Sequence, residues 1–408
     1  MSKEITVAII GVGDRGTGFA AIINELSPLA KVVAVAEPRD EYRKNIQDGY
    51  GLPDDRCFTG WKEFIAAGKI CDAVIIATLD QEHRDPAIAC QEMGYHMMLE
   101  KPMAVSLQDC EDIANAQTKH NVITVVCHSL RYHKGFAKVK ELVQSGRIGD
   151  IVSLDQLEKV EINHQAHSFV RGNWGNQSRS TFMLMAKSCH DIDYISYLID
   201  EPCKAVSSFG SLKYFNEANA PEGSTERCTD ACTVEHSCQF SALKVYMNNR
   251  NSWPASSCSY DHSADAHMEA LKTGPYGRCV YRTDNDVVDH QVVNLLYDKD
   301  ITATFTMTAF TQGGGRELRV HGTKGELSFD ESTIIIKDFA SLNTETITIG
   351  PEKGGHGGGD GRVVRSWIDA IHANDQSLVI SDVHESLRTH RIVFAAEESR
   401  LSGEMIKL

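Results

Sequence analysis

Apolar positions follow one pattern before about Ile151 and another after it. Over the first ~125 residues, short apolar runs alternate with longer amphipathic stretches, the signature of a doubly wound parallel sheet. Residues 5–10 (ITVAII) are continuously apolar, as a strand buried on both faces must be. Residues 17–26 carry helical spacing, and further strands are predicted at 31–36, 73–77, 95–99 and 122–127. After residue 151 the strands lengthen and alternate, at 151–160, 204–212, 292–296, 302–308, 317–321 and 333–337. That texture predicts a large, mostly antiparallel sheet with one open face. Two helices are expected at the end, over 363–372 and 384–401. The predicted fold is therefore α/β followed by α+β. Its segments are 1–127, 128–380 with a Cys-rich insertion at 214–282, and a C-terminal helix at 381–408 that packs back on the first domain. The glycine-rich loop 351–361 reads as ligand-facing or mobile.

The length of 408 residues and 42% hydrophobic content supply core enough for two domains. The formal net charge of -15 argues against nucleic acid and anionic membrane as partners. No apolar run reaches the ~20 residues of a membrane helix. The first residues lack the features of a signal peptide, and the twelve cysteines read as reduced thiols, so a cytoplasmic location is expected. Long alternating strands with an open face predict a homo-oligomer, dimer or tetramer.

The chemistry starts at Gly11-Val12-Gly13-Asp14-Arg15-Gly16, a GxGxxG turn between a buried strand and a helix. Gly11 permits the turn, Gly13 lets backbone N–H groups approach a pyrophosphate, and Gly16 lets helix and strand pack closely. Glu37 follows Gly16 by 21 residues, where a carboxylate binds ribose hydroxyls and repels a 2′-phosphate. NAD is thus expected rather than NADP. Arg39 pulls the other way, since it would pair with a 2′-phosphate or stack on adenine.

Several further motifs carry a family likeness. They are Ala77-Thr78 with His83, Glu100-Lys101-Pro102, Arg131-Tyr132, Gly146 to Asp150, His190 with Asp193, and Gly322-Thr323-Lys324-Gly325. With the final helix, they make the chain resemble the Gfo/Idh/MocA oxidoreductases, relatives of glucose–fructose oxidoreductase and inositol dehydrogenase. The resemblance covers nearly the whole chain. It implies a Rossmann domain followed by an open-faced sheet domain, an NAD cofactor and a sugar or polyol substrate. It also implies that Asp14, Arg15, Thr78, His83, Glu100 and Lys101 help bind the cofactor. Lys101 would lie beside the nicotinamide and the reacting hydroxyl, and His190 would act as acid or base. One departure stands out. Where the family carries an aspartate four residues before this histidine, the chain has Ala186, so the usual Lys–Asp–His trio is incomplete.

Lys187, Arg171, Arg179 and His164 bring positive or titratable groups to the same segment, which raises the expectation of an anionic group on the substrate. Further candidate substrate contacts are Arg131, Tyr132, Trp174, Asp191 and His356, the last with Asp360 in the glycine-rich loop. Cys228, Cys232 and Cys238 fall within eleven residues and suggest a structural zinc site, with Cys258, His236 or, preferred, Cys279 as the fourth ligand. Three functions follow as alternatives. The first is NAD-dependent oxidation of a sugar or glycoside hydroxyl. The second is a redox-neutral, NAD-dependent glycosidase that oxidises the sugar transiently. The third is a nucleotide-sensing regulator without catalysis, against which the presence of Lys101 and His190 speaks.

Overall fold

Six strands of the computed structural model, which describes residues 3–408, form one parallel sheet. They are β1 (Ile5–Ile10), β2 (Ala30–Ala36), β3 (Cys57–Phe58), β4 (Ala73–Ile76), β5 (His96–Leu99) and β6 (Thr124–Val126), in the order β3-β2-β1-β4-β5-β6. Every pairing is parallel. The strands are buried on both faces, which is why β1 and β4 read as unbroken apolar runs. Strand order reverses direction between β1 and β4, so a crevice opens beyond their carboxyl ends, the place where such sheets bind ligands.

The second sheet has nine strands, in the order β14-β13-β12-β11-β7-β10-β9-β8-β15. These are β7 (Ile151–Lys159), β8 (Cys203–Ser211), β9 (His290–Tyr297), β10 (Thr302–Thr308), β11 (Gly315–Gly322), β12 (Gly325–Phe329), β13 (Thr333–Asp338), β14 (Thr344–Thr348) and β15 (Ile406–Lys407). Only β7 and β10 run parallel; the other pairs are antiparallel. One face packs on the helix Cys189–Ile199, with Val293, Leu295 and Phe305 against Ile192 and Ile195. The opposite face leaves Val152, Phe209 and Leu296 exposed.

Two late helices join the domains. The helix Gly359–Ala373 places Val363, Val364, Trp367 and Ile368 in the same core as Val7, Ile9 and Phe19 of the first sheet. The first domain is thus completed by a segment more than 200 residues further along the chain. The helix Val383–Ser402 sits in the seam. Its Val383 packs with Ile76 and Met97, while Ile392, Val393 and Ala396 pack beneath the second sheet. Among the described residues no helix is long and apolar enough to cross a membrane.

Candidate active site

The glycine turn has the shape a dinucleotide needs. Gly11 adopts φ +85°, and a Cβ there would lie 2.7 Å from the Ala77 carbonyl oxygen. At Gly16 a Cβ would meet the Gly11 carbonyl at 1.9 Å, so only glycine lets the helix sit so close. Gly13 differs: its nearest neighbour would be Arg39 Nη2 at 3.7 Å, leaving the space over the loop open. The helix Asp14–Glu25 starts directly after Gly13 without a side-chain cap, so its leading N–H groups face that space as an anion site. These residues fit the pyrophosphate of a dinucleotide.

Glu37 directly follows the second strand, and it is buried. Its carboxylate accepts from the Val12 amide at 2.9 Å and from Arg39 Nε at 2.6 Å. Burial opposes its ionisation, but the Arg39 and Val12 bonds outweigh it and hold the carboxyl below its usual range. Arg39 also lies 3.8 Å over the ring of Tyr42, so its charge is shared between a carboxylate and an aromatic face.

Around the Glu100-Lys101-Pro102 turn, the structure ties the sequence candidates together. His83 bonds the Pro102 carbonyl at 2.8 Å and the Thr78 carbonyl at 3.3 Å, so it braces the turn. Thr78 Oγ1 donates to the Glu82 carbonyl, which stiffens the same bend. Glu100 pairs with Arg15, which also binds Asp360 through Nη1 at 2.5 Å and Nη2 at 3.1 Å. Asp14 meets Ser257 Oγ of the insertion at 3.4 Å, and Tyr42 packs on Tyr260 with centroids 5.2 Å apart. The insertion therefore closes over the edge of the glycine turn, a contact that nothing in the sequence pattern revealed.

Lys101 Nζ donates to the Ala186 carbonyl at 2.8 Å. A backbone oxygen thus receives the ammonium at position 186, where the chain lacks the family's aspartate. His190 begins the helix Cys189–Ile199 and is 2% exposed, yet neither ring nitrogen has a hydrogen-bond partner among the described residues. Burial, then the fields of Lys101, His356 and His128, push its pKa well below the ordinary histidine value. The imidazole is neutral and enclosed, and neither ring nitrogen is paired among the described residues.

Next to this pair lies a cavity of about 250 Å³, lined by His164, Lys187, His356, Glu158 and Arg316 among others. Lys101 and His190 adjoin it, Lys101 through Ala186 beside Lys187 and His190 through a ring contact with His356 at 5.3 Å. His164 is held near 4, first by burial and then by Lys187 and Lys101. Lys187 is no free cation, since its Nζ lies 2.7 Å from buried Glu158. Arg316 binds Glu158 at 3.0 Å and Asp191 at 2.6 Å. Lys187 and Arg316 are thus paired with Glu158 and Asp191 rather than free, so they are not the unpaired cations that the sequence suggested for an anionic group.

Other expected contacts lie elsewhere. Arg131 is buried and gives Nε and Nη2 to Asp193 at 2.7 and 2.8 Å, so it clamps two elements rather than a substrate. Tyr132 is buried against the first domain, its hydroxyl 3.2 Å from Ser381 Oγ. Asp191 is fully buried, taken up by Arg316 and by Gln156 at 2.6 Å. Arg171 donates to the carbonyls of Arg278 and Phe240, beneath the insertion. Arg179 pairs with Asp284. Trp174 donates its indole N–H to Asp80 at 3.1 Å and acts as a post between the domains. Burial and internal pairing, which a linear sequence does not display, account for all six.

The zinc expectation is also corrected. Cys228, Cys232, Cys238 and Cys279 line one small cavity, but among the described residues no group of three or more His, Cys, Asp or Glu is placed to hold a metal ion. Arg171 Nη2 stands 3.7 Å from Cys228 Sγ, which sets a positive charge beside the thiols. Burial pushes the thiols of Cys238 and Cys279 up, away from the thiolate a metal requires. All twelve cysteines are free, and Cys228, Cys238 and Cys279 serve as small apolar packing for the insertion.

Sequence reasoning missed Glu158, Arg316, His128 and His133. Glu158 occupies an inward position of alternating β7, on the same face as Leu154 and Gln156, where a charged residue at a buried position was the available signal. Arg316 follows three glycines and becomes visible only once β11 pairs with β7.

A glycine-turn nucleotide domain joined to an open-sheet domain, with a lysine, a neutral histidine and a polar cavity at the seam, is the architecture of a nicotinamide-dependent oxidoreductase. The chain belongs to the GFO/IDH/MocA oxidoreductase family: its NAD-binding Rossmann fold matches residues 5–128, and its C-terminal alpha/beta domain matches residues 140–408. YteT of Bacillus subtilis, which carries the name of an oxidoreductase, is 25% identical over 308 residues, 71% of this chain and 70% of that protein. The 2,7-anhydro-N-acetylneuraminate hydratase of Escherichia coli is 26% identical over 207 residues, 50% of this chain and 52% of its own length. Levoglucosan dehydrogenase, solved with NADH and levoglucosan, superposes with a TM-score of 0.72 at 18% identity, covering 99% of each chain. At that identity the likeness shows the fold alone.

Proposed function

We propose that the protein oxidises a hydroxyl-bearing carbon of a neutral sugar or glycoside, with NAD as the hydride acceptor. The observation that carries this reading is the meeting of Lys101 and neutral His190 at the crevice beyond β1 and β4, against a polar cavity. Bound there, the nicotinamide would supply the hydride-accepting carbon. The protein's own residues do the rest. Gly11, Gly13 and the first turn of the following helix hold the pyrophosphate, and Glu37 takes the ribose hydroxyls. Lys101, steered by the Ala186 carbonyl, polarises the reacting hydroxyl, and His190 bonds it from the other side. Lys187 and Glu158, as a neutral pair, offer a donor and an acceptor to neighbouring sugar hydroxyls, which favours a neutral ligand over an anionic one.

The test is a panel of neutral polyols and glycosides with purified protein and NAD, followed at the absorbance of NADH. Turnover is expected, and Lys101→Met should lower kcat/KM by about 100-fold or more while the protein still binds NAD. No affinity for either dinucleotide refutes the reading.

A second reading is favoured by one specific observation, the hydratase among the relatives. A hydratase, by name, moves water with no net oxidation. Within an NAD-binding family this supports a redox-neutral cycle, here a glycosidase that releases free sugar while the cofactor ends unchanged. Free sugar without NADH would select it.

A further inference from the structure

His190, left without the family's aspartate at position 186, faces another imidazole. His356, in the glycine-rich loop, lies with its ring centroid 5.3 Å from that of His190. Its Nδ1 is 3.0 Å from Asp360 Oδ1. Asp360 is 2% exposed and is also held by Ser129 Oγ at 2.5 Å and by the two Arg15 bonds. Although burial opposes its ionisation, His356 and Arg15 hold this carboxyl well below the usual range, so it is a permanent anion at working pH. An anion there accepts the Nδ1 proton and fixes the tautomer, which leaves Nε2 as the free nitrogen of a ring that lines the cavity.

The loop is built to hold that pose. His356 adopts φ +49° and ψ 44°, a left-handed conformation costing about 1 kcal/mol in a residue with a Cβ. Gly357 must be glycine, since a Cβ would lie 2.6 Å from His133 Nε2. A histidine strained between glycines and pinned by a buried carboxylate is the kind of outlier that marks a functional group.

His190 and His356 differ in the way that matters for proton transfer. His190 is enclosed and has no anion within hydrogen-bond reach, so it cannot readily keep a proton it accepts. The His356 side chain is 30% exposed and touches an ionised carboxylate, which can hold an imidazolium by a charge-assisted bond. The charged and titratable groups around it are Asp360, His190, His133 and Arg15, with Arg316 and Arg362 on the His133 side.

We propose that His356, oriented by Asp360, is the acid–base residue of this site and stands in for the aspartate missing at Ala186. It rests on the oxidoreductase reading above. As the C–H electron pair leaves the substrate as hydride to the nicotinamide, the O–H bond breaks, the C=O bond forms, and the hydroxyl proton passes to His356 Nε2. In the redox-neutral variant the same nitrogen returns the proton when the hydride comes back.

His356→Asn separates this role from a structural one, because asparagine keeps an N–H for Asp360 and lacks Nε2. In the NAD-loaded enzyme, kcat should fall about 100-fold or more, KM and NAD affinity (by tryptophan fluorescence) should change less than about 3-fold, and added imidazole should restore part of the rate. The acidic limb of the kcat–pH profile should vanish. A variant within about 3-fold of wild type with its pH profile intact overturns the assignment, as does a loss explained wholly by weaker NAD binding. Histidine ¹⁵N spectra of the wild type give a readout without turnover: the Nδ1–H tautomer at His356 is expected, and the Nε2–H tautomer overturns the proposal. A wild type that turns over no polyol or glycoside sinks both this inference and the function it rests on; an active wild type beside an equally active His356→Asn sinks this inference alone.

Discussion

Lys187 shows how one side chain changes meaning between sequence and structure. In the sequence it is a cation next to the acid–base helix and suggests an anionic substrate. In the fold it lies 2.7 Å from Glu158, and its charge is already balanced. Lys187→Met should therefore raise KM for neutral and anionic sugars by the same factor, within about twofold. The loss of stability should be larger than that for a surface lysine, because buried Glu158 would lose one of its two cationic partners and keep Arg316. A KM ratio that shifts against the anionic sugars alone would restore the anion hypothesis. Residues whose role is backbone geometry were legible in advance: Gly11 and Gly16 are required by sterics, and the 1.9 Å clash at Gly16 states the reason. Residues whose role is pairing were not. Arg131 and Arg171 look like ligands in one dimension, and only the positions of Asp193 and of the Phe240 carbonyl reveal them as internal clamps.

At the level of elements, the strands of the first sheet were readable because burial on both faces writes an unbroken apolar run, as in β1 and β4. β3, with two residues, and β15, also with two, carry too little pattern to register. β14 was missed for another reason: it is largely exposed, so it has no apolar side to alternate. β12 does alternate, but its five residues Gly325–Phe329 hold only two large apolar side chains, Leu327 and Phe329. The insertion was not resolved into elements, since its two short helices, Ala242–Met247 and Ala264–Thr273, lie among turns and pack on two small clusters. The turn after β2 yields a test at this scale. Arg39 is now committed to Glu37 through Nε and Nη2, at 2.6 and 3.1 Å. Replacing Glu37 with Ser removes the acceptor for the ribose hydroxyls and frees the guanidinium for a 2′-phosphate. The NADP-to-NAD affinity ratio of Glu37→Ser, by fluorescence titration, should rise by about 10-fold or more, a change of about 1.4 kcal/mol. An unchanged ratio would show that the end of β2 does not read the ribose.

The whole molecule carries an unusual load of histidine in its interior, and this sets its response to acid. His128, His190 and His390 are all buried, with ring centroids 5.9 Å apart for the first two and 5.6 Å for His128 and His390. Burial above all pushes His128 down to about 3 and His390 to about 4, and His190 also lies well below the ordinary value. These groups stay neutral in the folded chain at pH values where the unfolded chain protonates them, near 6.5. The sign follows from the depressed folded values. Each contributes its full stability above pH 6.5 and loses it as pH falls toward the folded value, because the unfolded state binds the extra proton. Three such groups give a slope of up to roughly 4 kcal/mol per pH unit below that point, enough to exhaust the marginal stability of a typical domain within two or three units. Asp360 and Asp193, whose carboxyls are also depressed, add their loss only below about pH 4. Urea melts at pH 7.5, 6.5, 5.5 and 5.0 should show a flat midpoint between the first two and a steep fall between the last two. His128→Asn should flatten that fall by about one proton, even at some cost in stability at pH 7.5. A midpoint that declines only below pH 4 would assign the acid response to the carboxylates and leave the buried imidazoles out of it.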